Sequence, residues 1–483
     1  MKRRDLLKLL GGAALGTAAP VALPAHAQNQ SAGAAPQAPG PAEGPADFTL
    51  RIAPITLPLT SGHILSTIGY NGTCPGPLLR MREGKQVTVD VFNETDTPEY
   101  VHWHGLHIPS DVDGAEEEGT PPVPPHGQRR YQFVPKPAGS RWYHSHVAAM
   151  ANLYKSTYTG QFGFLMIDSG NDPGRYDQEL FLALRDWLPF FTNQPMDADE
   201  LGQVGPQPER PAVLDTRPNG LEVTSQLYSM NDKVLGAGEP IRVKEGDRVL
   251  MHFLNASAIE IRRVALPGHQ FQVVALDGNP VPTPQKVDML MIGPGERIDA
   301  IVEMNRPGVW ILGGVADATR NSGLGIVIEY ANQHIEPQWI APPPAVWDYT
   351  IFGRQGTSTP PDHQIDMVFT MVPRGNAPFN AWLINGKQYP HENEFVLQEG
   401  ARYRLVFRNR SADAHPLHLH RHTFELTDIN GKKTTGIMKD VIIIPLYGRV
   451  AVDFVADQPG LTLFHCHIQN HMDYGFKALL RYA

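Results

Sequence analysis

Near the C-terminus the chain reads Leu463-Phe464-His465-Cys466-His467-Ile468-Gln469-Asn470-His471. A thiolate with an imidazole five residues on is half of a blue-copper centre. Such a centre takes two imidazoles and one thiolate, with a weak or absent axial ligand. On a strand, His465 and His467 cannot share that ion with Cys466, because alternate side chains leave opposite faces. Cys466 would then serve one metal centre while its two neighbours serve another, and three covalently linked residues would join an electron-accepting site to a second copper site. The other histidines are also placed rather than scattered. With 20 histidines in 483 residues about one His-X-His is expected by chance, yet five occur, at 102/104, 144/146, 418/420, 420/422 and 465/467.

An internal repeat supplies the elements that must carry these pairs. Glu83-Gly84…Asn93 recurs as Glu245-Gly246…Asn255 and again as Glu399-Gly400…Asn409. Each copy is a glycine turn feeding an alternating strand that ends at asparagine, the pattern of a half-buried strand in a β-sandwich. Counting nine and eleven residues on from each asparagine reaches His102 and His104 in the first copy and His418 and His420 in the third, with His415 at the sixth place. The middle copy has Ile261, Val264 and Leu266 at the matching places. A second register starts at Gly139, Gly308 and Gly460, and five and seven residues on lie His144/His146, Gly313/Val315 and His465/His467. A lone buried histidine is more often a satisfied core residue than a ligand. Four pairs in two registers, absent together from one copy, are a placed set. The first and third copies are expected to face each other with these pairs, and the middle copy to be a spacer.

Length and composition agree with this frame. A chain of 483 residues accommodates two to four domains, and 45 glycines with 44 prolines point to a turn-rich all-β protein. The expected organisation is a signal peptide over 1–27, a disordered linker over 28–46, and three β-sandwich domains over 47–170, 171–335 and 336–483. Lys2-Arg3-Arg4 before an Ala/Gly-rich apolar run, with Ala25-His26-Ala27 at its end, resembles a twin-arginine export signal. Removing residues 1–27 takes away four positive charges and one negative, moving the net charge from −9 to about −12, which argues against nucleic-acid binding. No later segment is apolar for long enough to span a membrane, so a periplasmic or secreted protein is expected. If Cys466 binds copper, Cys74 has no partner for a disulfide and is read as an inert free thiol in a turn.

Together the motifs His102-Trp103-His104-Gly105, His144-Ser145-His146, His415-Pro416-Leu417-His418-Leu419-His420 and His465-Cys466-His467…His471 resemble those of the multicopper oxidases, specifically their three-domain, laccase-like bacterial branch. The resemblance runs from about residue 47 to the C-terminus and implies that the three sandwiches are cupredoxin-like Greek-key domains. It implies four copper ions: type 1 on His415, Cys466 and His471, type 2 on His102 and His418, one type 3 on His104, His144 and His467, and the other on His146, His420 and His465. Imidazole and thiolate suit copper, whereas zinc prefers closed sites and cannot change oxidation state. Substrates give single electrons and reduction of O₂ to water takes four, hence the two centres. The family's axial position falls on Phe476, which cannot ligate and so favours a high potential. Met472 is read as packing; it stands where some bacterial members carry an acidic proton donor.

Asp113, in Asp111-Val112-Asp113-Gly114, resembles the family's acidic residue near the type 2 copper and is assigned proton supply. The Glu116-Glu117-Glu118 run is read as a solvated loop. His107 and His422 fill no ligand position, and His269 aligns with His422 as a shared structural position. The resemblance implies an oxidase that takes single electrons from phenols or aromatic amines and works as a monomer on O₂ and a small reducing substrate. A cuprous or ferrous metallo-oxidase serving metal tolerance is the alternative. It is disfavoured by Ser411-Ala412-Asp413-Ala414, where cuprous oxidases of the family carry an Asp-Met-Met run, and by scattered methionines. A non-catalytic scaffold is disfavoured because all eleven ligands are kept, and a two-domain nitrite reductase by the third repeat. Substrate is expected where an edge of His471 or His415 reaches the surface, walled by the loop around Pro189–Pro211.

Overall fold

The three repeat strands, Val87–Asn93, Arg248–Asn255 and Arg402–Asn409, occupy the same place in three sheets of the computed structural model. Each runs parallel to the first strand of its copy, Phe48–Thr60, Gln178–Thr192 or His363–Pro373. Each is antiparallel to a later strand, Gln128–Phe133, Arg297–Glu303 or Arg449–Val455. A second sheet accompanies each of these, so among the described residues the strands form six sheets in three successive pairs spanning 48–168, 178–330 and 363–482. The structure describes residues 44–170, 174–192, 220–373, 378–391 and 394–483. The expected signal segment and most of the linker therefore lie outside the described residues. So does most of the loop expected to wall the substrate site. Among the described residues no helix is long and apolar enough to cross a membrane.

In the first pair, Leu50, Ile52, Val89 and Val91 of one sheet meet Leu79, Trp103, Tyr143 and Leu165 of the other in a single apolar cluster. The alternating burial of Val87–Asn93 puts every second side chain into that layer, as a two-sheet sandwich requires. The apolar interiors of the other two pairs run together into one continuous cluster, which Ala149, Leu153 and Tyr158 of the first copy join. The chain is thus all-β, a succession of cupredoxin-like sandwiches.

The terminal asparagine of each repeat explains how the register to the next strand is kept. Asn93 donates to the Thr97 and Val123 carbonyls and accepts from Thr95 N–H. Asn255 bonds likewise to Glu260, Ile292 and Ser257, and Asn409 to Asp413, Pro445 and Ser411. Only a short side chain with two N–H donors and an acceptor satisfies these buried backbone groups. The three loops consequently share one course, and the strands that follow, Val101–His104, Arg262–Ala265 and His415–Leu419, start in equivalent places.

Candidate metal centres

In the third pair of sheets, strand His415–Leu419 lies antiparallel to Thr462–Cys466, with Leu417 opposite Cys466 and His418 opposite His465. The Cys466 side chain turns away from its neighbours toward His415 and His471. Its Sγ is 3.8 Å from His415 Nδ1 and 3.6 Å from His471 Nδ1, and the three ligand atoms lie within 4.8 Å of one another. The far nitrogens are held from outside: His415 Nε2 by the Ser411 hydroxyl at 2.8 Å, His471 Nε2 by the Glu222 carboxylate at 3.4 Å. Phe476 is fully buried and packs its ring 4.9 Å from that of His415. It offers this trio only hydrocarbon.

The remaining histidines gather at the contact between the first and third pairs. His102 lies opposite His144 in the first. Three sets form, His102/His104/His418 and His104/His144/His467, which share His104, and His146/His420/His465, each with ligand atoms within 4.8 Å. Rings from the two copies stack directly, His104 on His418 at 3.8 Å and His102 on His420 at 4.0 Å. Alternation along 465–467 sends Cys466 to one centre and its neighbours to the other.

Hydrogen bonds leave one nitrogen of most rings aimed inward. His102 Nδ1 meets the Asp113 carbonyl, His144 Nδ1 the Ser145 carbonyl, His418 Nδ1 the Asp440 carbonyl and His465 Nδ1 the Cys466 carbonyl, at 2.7–2.9 Å. The buried His102 Nε2, His104 Nδ1, His144 Nε2 and His418 Nε2, and both ring nitrogens of His146 and His467, have no hydrogen-bond partner among the described residues. Orphaned buried nitrogens on this scale need an explanation, and a shared set of cations is the one that fits. Burial, reinforced by the surrounding imidazoles, holds His104, His144, His146, His418, His420 and His465 well below the usual histidine range, and His467 down to about 3. The rings are therefore neutral, the form that ligates. Burial pushes the Cys466 thiol up, so binding of a soft cation there releases a proton.

Family profiles described as multicopper oxidase match residues 53–172, 182–323 and 358–482. The chain is 31% identical over 441 residues to the multicopper oxidase MmcO of Mycobacterium tuberculosis, covering 87% of this chain and 84% of that one. The chain belongs to the multicopper oxidase family. It is also 26% identical to a copper resistance protein A homolog of Pseudomonas syringae pv. tomato, covering 89% of this chain and 91% of that one. In fold it resembles the laccase of Botrytis aclada, with TM-score 0.69, 21% identity, and 90% and 87% of the two chains covered. As a multicopper oxidase the protein is an oxidoreductase with O₂ as acceptor, and its histidine clusters fit copper.

Around these clusters the multicopper oxidase carries several acids in unlike surroundings. Asp113 is fully buried, its Oδ2 2.8 Å from His420 Nδ1 and 3.0 Å from His102 Nδ1. Gly114 behind it is obligatory, since a Cβ would lie 1.9 Å from the Val101 carbonyl oxygen. The Glu116–Glu118 run is not simply a solvated loop. Glu116 is exposed, but Glu117 pairs with Lys477 at 2.5 Å, and Glu118 is buried with Oε1 on Leu463 N–H and 3.7 Å from His420 Nδ1. Burial and the nearby Asp113 push the Glu118 carboxyl up. A run of three acids masks such a residue, because one turn of 3₁₀ helix sends its members to different surroundings. Met472 is buried beside His144, His146, His465 and His467 at a small cavity, away from the cysteine trio.

Neither His471 nor His415 reaches the surface: both are buried, and Glu222 lies over the His471 edge. Glu222 and Asp440 carried no sequence signal, since each acts through a partner brought from another copy. His107 bonds Thr423 through Nε2. His422 and His269 make the same pair of contacts, Nδ1 to the carbonyl two residues back and Nε2 to a tyrosine hydroxyl, Tyr482 or Tyr330. Cys74 is buried, and burial raises its thiol to about 12.

Proposed function

We propose that the protein is a laccase-like oxidase that takes single electrons from small phenols or aromatic amines. In this reading His415, Cys466 and His471 hold type 1 copper, and His102 with His418 hold type 2. One type 3 ion falls to His104, His144 and His467, the other to His146, His420 and His465. The observation that carries it is the convergence of four histidine pairs from two copies, with Cys466 leading from a separate trio into that cluster. When bound, copper supplies one-electron acceptance at the first centre and four-electron reduction of O₂ to water at the second.

The protein's own groups handle substrate and protons. Glu222 is held by Asn380 Nδ2 at 2.6 Å and Asn470 Nδ2 at 2.5 Å, with its Oε2 3.4 Å from His471 Nε2. A carboxylate so fixed accepts the proton that a phenol sheds as its electron leaves. Asp113 and Glu118 lie beside His420, placed to relay protons toward the oxygen-reducing side. Phe476 and the surrounding Trp382 and Phe369 rings keep water from the cysteine trio. The twin-arginine-like leader supports export, to periplasm or exterior, and one polypeptide supplies every ligand, so a monomer suffices.

A cuprous or ferrous metallo-oxidase is the second reading, because the same Glu222 carboxylate could receive a metal cation and one relative is named for copper resistance. Steady-state oxidation of a phenol and of Cu(I), each with oxygen uptake recorded, decides between them. The laccase-like reading requires a higher kcat/KM for the phenol. Cys466→Ser should abolish both the blue thiolate band and turnover, and turnover surviving that change would refute the assignment.

A further inference from the structure

Among the described residues no group able to hold a metal includes a histidine of the middle copy, yet that copy reaches the histidine cluster through a buried carboxylate of the third. Asp440, in the turn before strand Val441–Ile444, is fully buried. Its Oδ1 lies 3.2 Å from His104 Nε2, and its backbone carbonyl accepts from His418 Nδ1 at 2.7 Å. One residue thus fixes two stacked imidazoles from different copies in opposite tautomers, leaving His104 Nδ1 and His418 Nε2 as the inward nitrogens. The carboxylate cannot swing away. Arg297 of the middle copy grips it with both guanidinium ends, Nη1 to Oδ1 and Nη2 to Oδ2 at 2.6 Å each, and Arg141 of the first copy approaches Oδ2 at 3.4 Å. The Asp440 N–H donates to Asp277 of the middle copy at 3.1 Å.

The packing leaves no slack around this group. Gly105, which ends the His-Trp-His-Gly motif, has φ +83°, and a Cβ there would stand 2.6 Å from Asp440 Oδ2. Gly295 in the turn before Arg297 has φ +86°, and a Cβ would stand 2.7 Å from His467 Cδ2. Two motif histidines from different copies are therefore seated against the Gly295–Arg297 turn and what it holds.

We infer that Asp440, clamped by Arg297, is a positioning residue that sets the tautomer and orientation of His104 and His418, and that the middle copy exists partly to supply that clamp. This rests on the copper assignment proposed above. Partners of this kind change metal affinity or activity by about 10- to 100-fold when removed.

The test uses the copper-loaded protein. Asp440→Asn should keep the blue band of the Cys466 centre, release non-blue copper to a chelator about tenfold or more faster, and alter the electron paramagnetic resonance of that copper. Lys439→Met is the control: Lys439 is equally buried and pairs with Asp277 at 2.9 Å and Glu296 at 3.0 Å, and its loss should lower stability without that selective release. Unchanged release in Asp440→Asn overturns the inference, as does equal release in Lys439→Met. Should Asp440→Asn not fold, Arg297→Lys keeps the charge without the two-ended grip and carries the same two outcomes. A wild-type protein with no blue band would instead defeat the copper assignment itself.

Discussion

Asp113 sits between imidazoles from two copies, its Oδ2 facing His420 and His102 while Oδ1 has no hydrogen-bond partner among the described residues. A carboxylate so placed can pass protons without touching the electron-donating side. Asp113→Asn should slow re-oxidation of the reduced protein by O₂ about 100-fold, with anaerobic bleaching by substrate unchanged. Stopped-flow absorbance of the blue band separates the two half-reactions, and slower bleaching would argue for a different role. Glu222→Gln should do the reverse, cutting kcat/KM for a phenol while leaving re-oxidation by O₂ as in the wild type. Asp113 was legible from its place after the first motif. Glu118 was not, because its burial depends on Leu463, 345 positions away, and Glu222 acquires its role only by lying on His471.

At the scale of elements, the asparagines that end the repeat strands should be equally structural but unequally functional. Removing Asn255 or Asn409 strips partners from buried backbone groups, and each to Ala is expected to cost roughly 3 kcal/mol. Ser411, which Asn409 fixes through its N–H and hydroxyl, also bonds His415 Nε2 at 2.8 Å. Asn409→Ala should therefore shift the blue band, whereas Asn255→Ala should destabilise to a similar degree and leave the band alone. Chemical denaturation with visible spectra checks both, and a shifted band in Asn255→Ala would count against the local argument. The repeat and the histidine offsets were readable because a strand of fixed length ending in the same side-chain cap reproduces the same register. Sheet pairing and the unequal environments within Glu116–Glu118 were not, since both come from long-range contacts.

Across the whole molecule, one contact that the middle copy makes with the first titrates. His252 lies buried between Asp299 at 2.8 Å and Glu179 at 3.2 Å, and Asp299 also accepts from the Ser140 hydroxyl of the first copy. Burial opposes the charged ring, but the two carboxylates outweigh it and raise His252 from 6.5 to about 9. A group raised on folding stabilises fully below its unfolded value of 6.5 and loses that contribution as pH climbs through 9. The gap corresponds to on the order of 3 kcal/mol. The stability difference between wild type and His252→Gln should therefore shrink from about pH 6 to about pH 10; a difference constant with pH would remove the imidazolium from the account.

The amino-acid sequence alone determined the all-β repeat, the placing of the eleven histidine and cysteine residues proposed as ligands and the division of Cys466 from its neighbours, because these follow from strand periodicity and from side-chain chemistry that local spacing preserves. Only the tertiary structure decided which groups orient those ligands. Asp440, Arg297, Glu118 and Glu222 are ordinary charged residues in sequence, and they become specific when folding sets each against partners from distant segments.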